Sequence, residues 1–157
     1  MRKNISSSGL APSPTDADSS IDLEHAATVE ITSEEPGYPI EAALLPGQGS
    51  EWRAAEPGPQ TLRLHFDSPQ QISRIQLRFE VTGVPRTQEF SLRWSSDGGA
   101  FFQDLLRQQF NFSPPSTAVQ DESYRVDLSG VTDLELTLIP DVSRGDTRAS
   151  LKALRLW

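Results

Sequence analysis

Cysteine is absent from the 157 residues, which removes disulfide scaffolds, thiolate zinc sites, iron–sulfur clusters and cysteine nucleophiles together. The fold has to stand on its core alone, as suits a reducing cytoplasm. Histidine occurs only at His25 and His65, and lysine only at Lys3 and Lys152. No block of basic residues interrupts a formal net charge of -8, so the clustered cations that hold a phosphate backbone are missing. Nucleic acid is therefore not an expected partner. Long apolar runs are missing too. The basic start at Arg2-Lys3 never grows into the hydrophobic stretch of a signal peptide, and no segment is long enough to span a bilayer as a helix. A cytoplasmic protein with no membrane partner is the expectation.

What is abundant is punctuation. Twelve prolines and ten glycines break the chain often, which suits many short strands better than a few long helices. The length allows one domain with a real core but not two ordinary ones. The cations are mostly arginine, a residue suited to fork-like contact with hydroxyl pairs or carboxylates. A GC-rich genome or ordinary surface solvation explains that excess equally well.

Residues 1–24 are rich in Ser, Pro, Ala and Asp without periodicity, and are expected to form a flexible tail ahead of a folded unit at 25–157. Ala26-Ala27-Thr28-Val29-Glu30-Ile31-Thr32 alternates apolar and polar side chains and opens that unit. Ser33 to Pro59 reads as a long ordered loop, with a helical turn at Glu41 to Leu45 and a second apolar anchor at Trp52. Alternation then persists. Thr61 to Asp67 stops at Asp67-Ser68-Pro69, Ile72 to Val81 stops at Gly83-Val84-Pro85, and Glu89 to Ser95 stops at Asp97-Gly98-Gly99, a tight-turn signal. Between Phe101 and Phe112 the pattern is ambiguous, because Phe102, Leu105, Leu106, Gln109 and Phe110 could stripe a helix; the preceding turn favours a returning strand. Tyr124 to Leu128, Leu134 to Ile139 and Ala149 to Trp157 complete about eight strands. That number closes into an all-β, antiparallel two-sheet sandwich or jelly roll, with the first and last strands as neighbours.

Four pieces in order resemble the discoidin, or coagulation-factor type C, family of galactose-binding-like sandwiches over residues 26 to 157. They are the Pro-rich loop ending at Trp52, Gln60 to Ile72, Arg86 leading into Phe90-Ser91-Leu92-Arg93-Trp94-Ser95-Ser96-Asp97-Gly98-Gly99, and the final Ala149-Ser150-Leu151 strand. The resemblance implies that Trp52 is structural and that Phe101 or Phe102 packs at the sandwich edge. Members of that family often hold Ca²⁺ through an Asp-Gly pair in the long loop and a glutamate of the last strand. Leu45-Pro46-Gly47 and Ala153 stand at those places here, so neither a family-type calcium site nor any other cofactor is expected.

Catalytic templates fail. There is no Gly-x-Ser-x-Gly, Walker, dinucleotide or His-Glu-x-x-His string. His65 reads as an exposed strand histidine rather than a base, and His25 as solvated. The adjacent pairs Glu34-Glu35 and Asp121-Glu122 do not set two carboxyl groups across a sugar bond. What remains is a binding protein without catalysis. The resemblance implies that loops at one end of the sandwich take a carbohydrate or another polyhydroxylated ligand, with Tyr38, Arg53, Arg86, Gln88, Arg144 and Asp146 as candidates by loop position. The alternative is a structural or protein-interaction subunit that keeps the scaffold without a sugar site.

Overall fold

The computed structural model describes residues 20–157. Eight strands and two short helices follow in the order α1 (Leu23–Ala26), β1 (Ala27–Ile31), α2 (Glu41–Leu44), β2 (Trp52–Pro57), β3 (Gln60–Glu80), β4 (Arg86–Ser95), β5 (Gln103–Phe112), β6 (Val119–Ile139), β7 (Arg148–Leu151) and β8 (Ala153–Leu156). Hydrogen bonds join β1-β3-β6-β4-β5, with β8 also on β3, while β2 and β7 form a separate pair. Every pairing is antiparallel.

Two strands run through both layers. The first half of β3 pairs with β1 and with Asp133 to Leu138 of β6; its second half pairs with β8 and with Val119 to Arg125 of β6. Between the halves the ladder slips repeatedly, between His65 and Arg74. The stop expected at Asp67-Ser68-Pro69 is therefore a bend within one strand rather than its end. Pro69 has no amide to donate, and Gly130, at φ +68° on the facing strand, takes a left-handed conformation that a side chain would oppose. Such irregularities let a strand turn a corner and enter the second layer. The second halves then lie over β4: the Phe79 ring is 5.5 Å from Phe90, and Phe90 meets Tyr124 edge-on at 6.4 Å.

The core follows the period of two. Leu62, Leu64 and Phe66, then Ile75, Leu77 and Phe79, and on β4 Phe90 and Leu92 are all buried. Each such side chain contributes about 1.5–3 kcal/mol on leaving water. The ambiguous 101–112 segment is a strand, since β4 pairs with β5 from Arg86↔Phe112 to Trp94↔Gln103. One expected terminal strand divides at Lys152 into β7 and β8, and Trp52 begins a strand rather than ending a loop.

Residues 1–19 of the expected tail lie outside the described residues. From Ser20 onward the chain already belongs to the sandwich: the Ile21 amide donates to the Leu156 carbonyl at 2.7 Å, and Leu23 is buried in the core. The first and last strands are not paired with each other. They succeed one another along the same edge of β3.

Candidate functional site

The loop after β1 folds back on β2 and is held there by hydrogen bonds. Glu35 donates its amide to the Arg53 carbonyl at 2.8 Å, and Arg53 returns one to the Tyr38 carbonyl at 3.2 Å. The Ile40 amide donates to the Glu34 carboxylate at 3.0 Å. Trp52, 3 % exposed, pins this arrangement by donating Nε1–H to the Ser33 carbonyl at 3.0 Å. A buried indole that finds one acceptor is an anchor, and it fixes the two residues beside it, Glu51 and Arg53.

Those residues lie between two adjoining open concavities of roughly 440 and 460 Å³ at one end of the sandwich. The first is closed by the β3–β4 turn (Thr82, Val84, Arg86) and by Arg144 to Ser150. The second continues past Tyr38 to Ala118, Val119 and Lys152. Alternation along β2 and β7 explains the lining, because Trp52 and Leu151 point to the core and Arg53 and Ser150 point away.

Charge dominates the cleft. Glu51 accepts from Arg53 Nε at 2.6 Å, Asp146 from Arg144 at 3.1 Å and Glu35 from Arg148 at 3.4 Å, while Lys152 stands 3.5 Å from Glu80. The Arg53 guanidinium lies 3.8 Å from the centre of the Tyr38 ring, and the Glu51 hydrogen bond, opposed by partial burial, raises its proton affinity. Asp146 is held below the usual carboxylate range by its hydrogen bond to Arg144.

Arg86 differs. Its guanidinium donates to the Thr82 carbonyl at 3.0 Å, with Nε 3.5 Å from the Val84 carbonyl, and makes no ion pair among the described residues. Burial lowers its proton affinity, and the charge of Asp141 opposes that only in part.

The structure thus brings Arg53, Arg86, Arg144 and Asp146 to one cleft, with Tyr38 at its extension. Gln88 is the exception and a correction. It points inward from β4, is 2 % exposed, and donates to Gln120 at 3.4 Å inside the sandwich. It shares the face of Phe90, so the same alternation that leaves Thr87 and Glu89 half-buried takes it into the interior. Glu51, Thr82 and Arg148 also line the cleft, as does Glu35, which the sequence offered only as half of a carboxylate pair. Arg148 carried a faint signal, since it stands just before Ala149 and Leu151, out of phase with their inward pattern.

The carboxylate pairs separate. Glu34 caps a loop amide while Glu35 faces the cleft. Asp121 bonds outward to Arg78, whereas Glu122 accepts from the buried Gln120.

A second polar cluster lies on the outer face of β3, β6 and β4. Glu135, 4 % exposed, accepts from Arg63 at 2.5 and 3.1 Å and from Arg93 at 2.5 and 2.9 Å. Burial pushes its carboxyl up, but the two guanidinium groups together outweigh that and hold it below the ordinary range. Phe102 covers both arginines at 4.8 and 4.9 Å, while Phe101 is 66 % exposed. Next to them His65, expected as an exposed strand histidine, is only a third exposed. It contacts Glu30 at 3.2 Å and also the buried Asp133. His25 is exposed and bonds to Asp22 at 2.7 Å.

No known family's sequence pattern matches the chain, and no curated protein is similar to it in sequence. Solved structures are similar in shape. The family 32 carbohydrate-binding module of Clostridium perfringens NanJ, solved with galactose, superposes with a TM-score of 0.64 at 17 % identity, covering 87 % of this chain and 96 % of that one. The family 32 module of AlyQ, solved with 4,5-unsaturated mannuronic acid, gives 0.61 at 16 % identity over 84 % and 95 %. A pectin-binding module gives 0.60 at 16 % identity over 83 % and 89 %. The fold is a galactose-binding-like β-sandwich.

Proposed function

We propose that the chain is a noncatalytic carbohydrate-binding module whose ligand sits in the cleft between the β1–β2 loop, the β3–β4 turn and the segment before β7. The observation that carries this reading is the cleft itself: hydrogen-bonding groups converge there from four separate elements, beside a tyrosine ring held rigid by Arg53. Guanidinium forks, carboxylates and the Thr82 and Ser150 hydroxyls together supply the donors and acceptors that a polyhydroxylated ring requires. The similar sandwiches named above include modules solved with sugars.

A broad glycan array followed by calorimetry on the hits tests it. Saturable binding that Arg53→Ala or Tyr38→Ala weakens supports the reading. Silence across the array at millimolar sugar refutes it.

A second reading, a protein-interaction subunit, draws on Val84, Val119 and Val142. All three are more than two-fifths exposed, Val84 and Val119 line the two concavities, and Val142 donates its amide to Thr87 close by. Substituting them with serine distinguishes the readings, since a protein partner would be lost while binding of a sugar through polar groups would persist.

A further inference from the structure

Resting on the reading of the cleft as a glycan site, we infer that its ligand carries a carboxylate, as a uronic acid residue does, and that Arg86 receives it. The carboxylates of the cleft are all paired, Glu80 with Arg78 at 3.4 Å as well as with Lys152. Each of the four has a cation within 3.5 Å, and Arg86 is the cation left over. Its nearest electrostatic relief within the chain, Asp141, is almost wholly buried, beyond ion-pair distance, and already accepts the Ser143 amide at 3.0 Å.

A partly desolvated guanidinium without a counter-ion is costly, and the folded chain leaves that cost in place. The group is also preorganised. Its bonds to the carbonyls of the β3–β4 turn hold the side chain across Gly83, while Nη1 has no partner among the described residues. A sugar hydroxyl there would accept a hydrogen bond but leave the charge unmatched. A carboxylate does both, through the fork geometry that guanidinium favours. The net charge of -8 does not forbid this, because exposed charges more than about 8 Å away are largely screened at physiological salt, leaving the local excess at Arg86.

The test is calorimetry with short oligomers of galacturonate, mannuronate and glucuronate, each against its carboxyl-reduced, neutral counterpart. At least one uronate should bind about tenfold or more tighter than its reduced form, with the ratio shrinking as salt is raised. Arg86→Gln, its fold checked by circular dichroism, should bring that ratio close to one. Asp146→Asn frees Arg144 and should raise it, which keeps the question answerable if the Arg86 variant misfolds. Equal affinity for acid and reduced forms, a ratio that survives Arg86→Gln, or a sulfated galactan preferred over every uronate overturns the inference. Neutral sugars binding as well as the acids would sink this inference alone and leave the glycan reading standing; silence on both this panel and the broad array sinks both.

Discussion

Replacing Glu135 with glutamine keeps the shape of the side chain and removes its charge, which isolates what the Arg63–Glu135–Arg93 cluster contributes. Four charge-assisted hydrogen bonds of 2.5–3.1 Å converge on a carboxylate that is 5 % exposed at its side chain. Breaking such a pair by removing one partner costs about 3–5 kcal/mol. Here the arginine side chains are 33 % and 41 % exposed and recover part of their hydration, so the lower end, about 3 kcal/mol, is expected at pH 7. For a domain of this size that corresponds to a melting point roughly 6–12 °C lower.

The sign with pH follows from the depressed carboxyl. Its contribution is complete above the unfolded value of 4.5 and is lost as pH falls through the lower folded value. The difference between wild type and Glu135→Gln should therefore narrow as pH falls from 7 toward and through the depressed folded value. Urea unfolding at pH 7 and at pH 3 measures it. A difference below about 0.5 kcal/mol at pH 7, or one that does not change with pH, would refute the idea that this carboxylate is held charged by its two arginines.

Trp52→Phe should cost about 1–2 kcal/mol in urea unfolding by losing the Ser33 hydrogen bond and part of the packing, and should also weaken glycan binding because Glu51 and Arg53 lose their anchor. Tyr38→Ala should leave stability within about 1 kcal/mol of wild type yet reduce glycan affinity severalfold in calorimetry, since the ring supports Arg53 at the surface. Gln88→Leu tests the inward placement of this side chain: it should lower stability by about 1–2 kcal/mol by stranding the Gln120 side-chain carbonyl oxygen while the sugar dissociation constant stays unchanged. A weakened affinity in that last variant would place Gln88 back at the ligand.

The sandwich was legible in the sequence because its signal is local. A period of two over Thr61 to Asp67, Ile72 to Val81 and Glu89 to Ser95 dictates which side chains face inward, and Leu62, Leu77, Phe79 and Phe90 are buried accordingly. Turn chemistry was equally local, so Asp97-Gly98-Gly99 foretold the β4–β5 hairpin and thereby decided between strand and helix for the segment that follows. The family resemblance together with loop position named Arg53, Arg86, Arg144 and Asp146, and the folded chain places these four around one cleft.

The continuity of β3 and β6 through their bends was not local. Proline and glycine there read as stops until a neighbouring strand supplied the pairing that carries the chain on. Burial of Gln88, Asp133 and Glu135 required knowing what covers each strand, and composition says nothing about that. The charge balance of the cleft lay furthest from reach. Arg148 finds Glu35 across 113 residues, and Lys152, between β7 and β8, reaches Glu80 of β3, so only the folded chain decides which cations are matched and that Arg86 is not. A side chain's direction is set by the backbone beside it; its partner is set by packing between segments far apart in sequence.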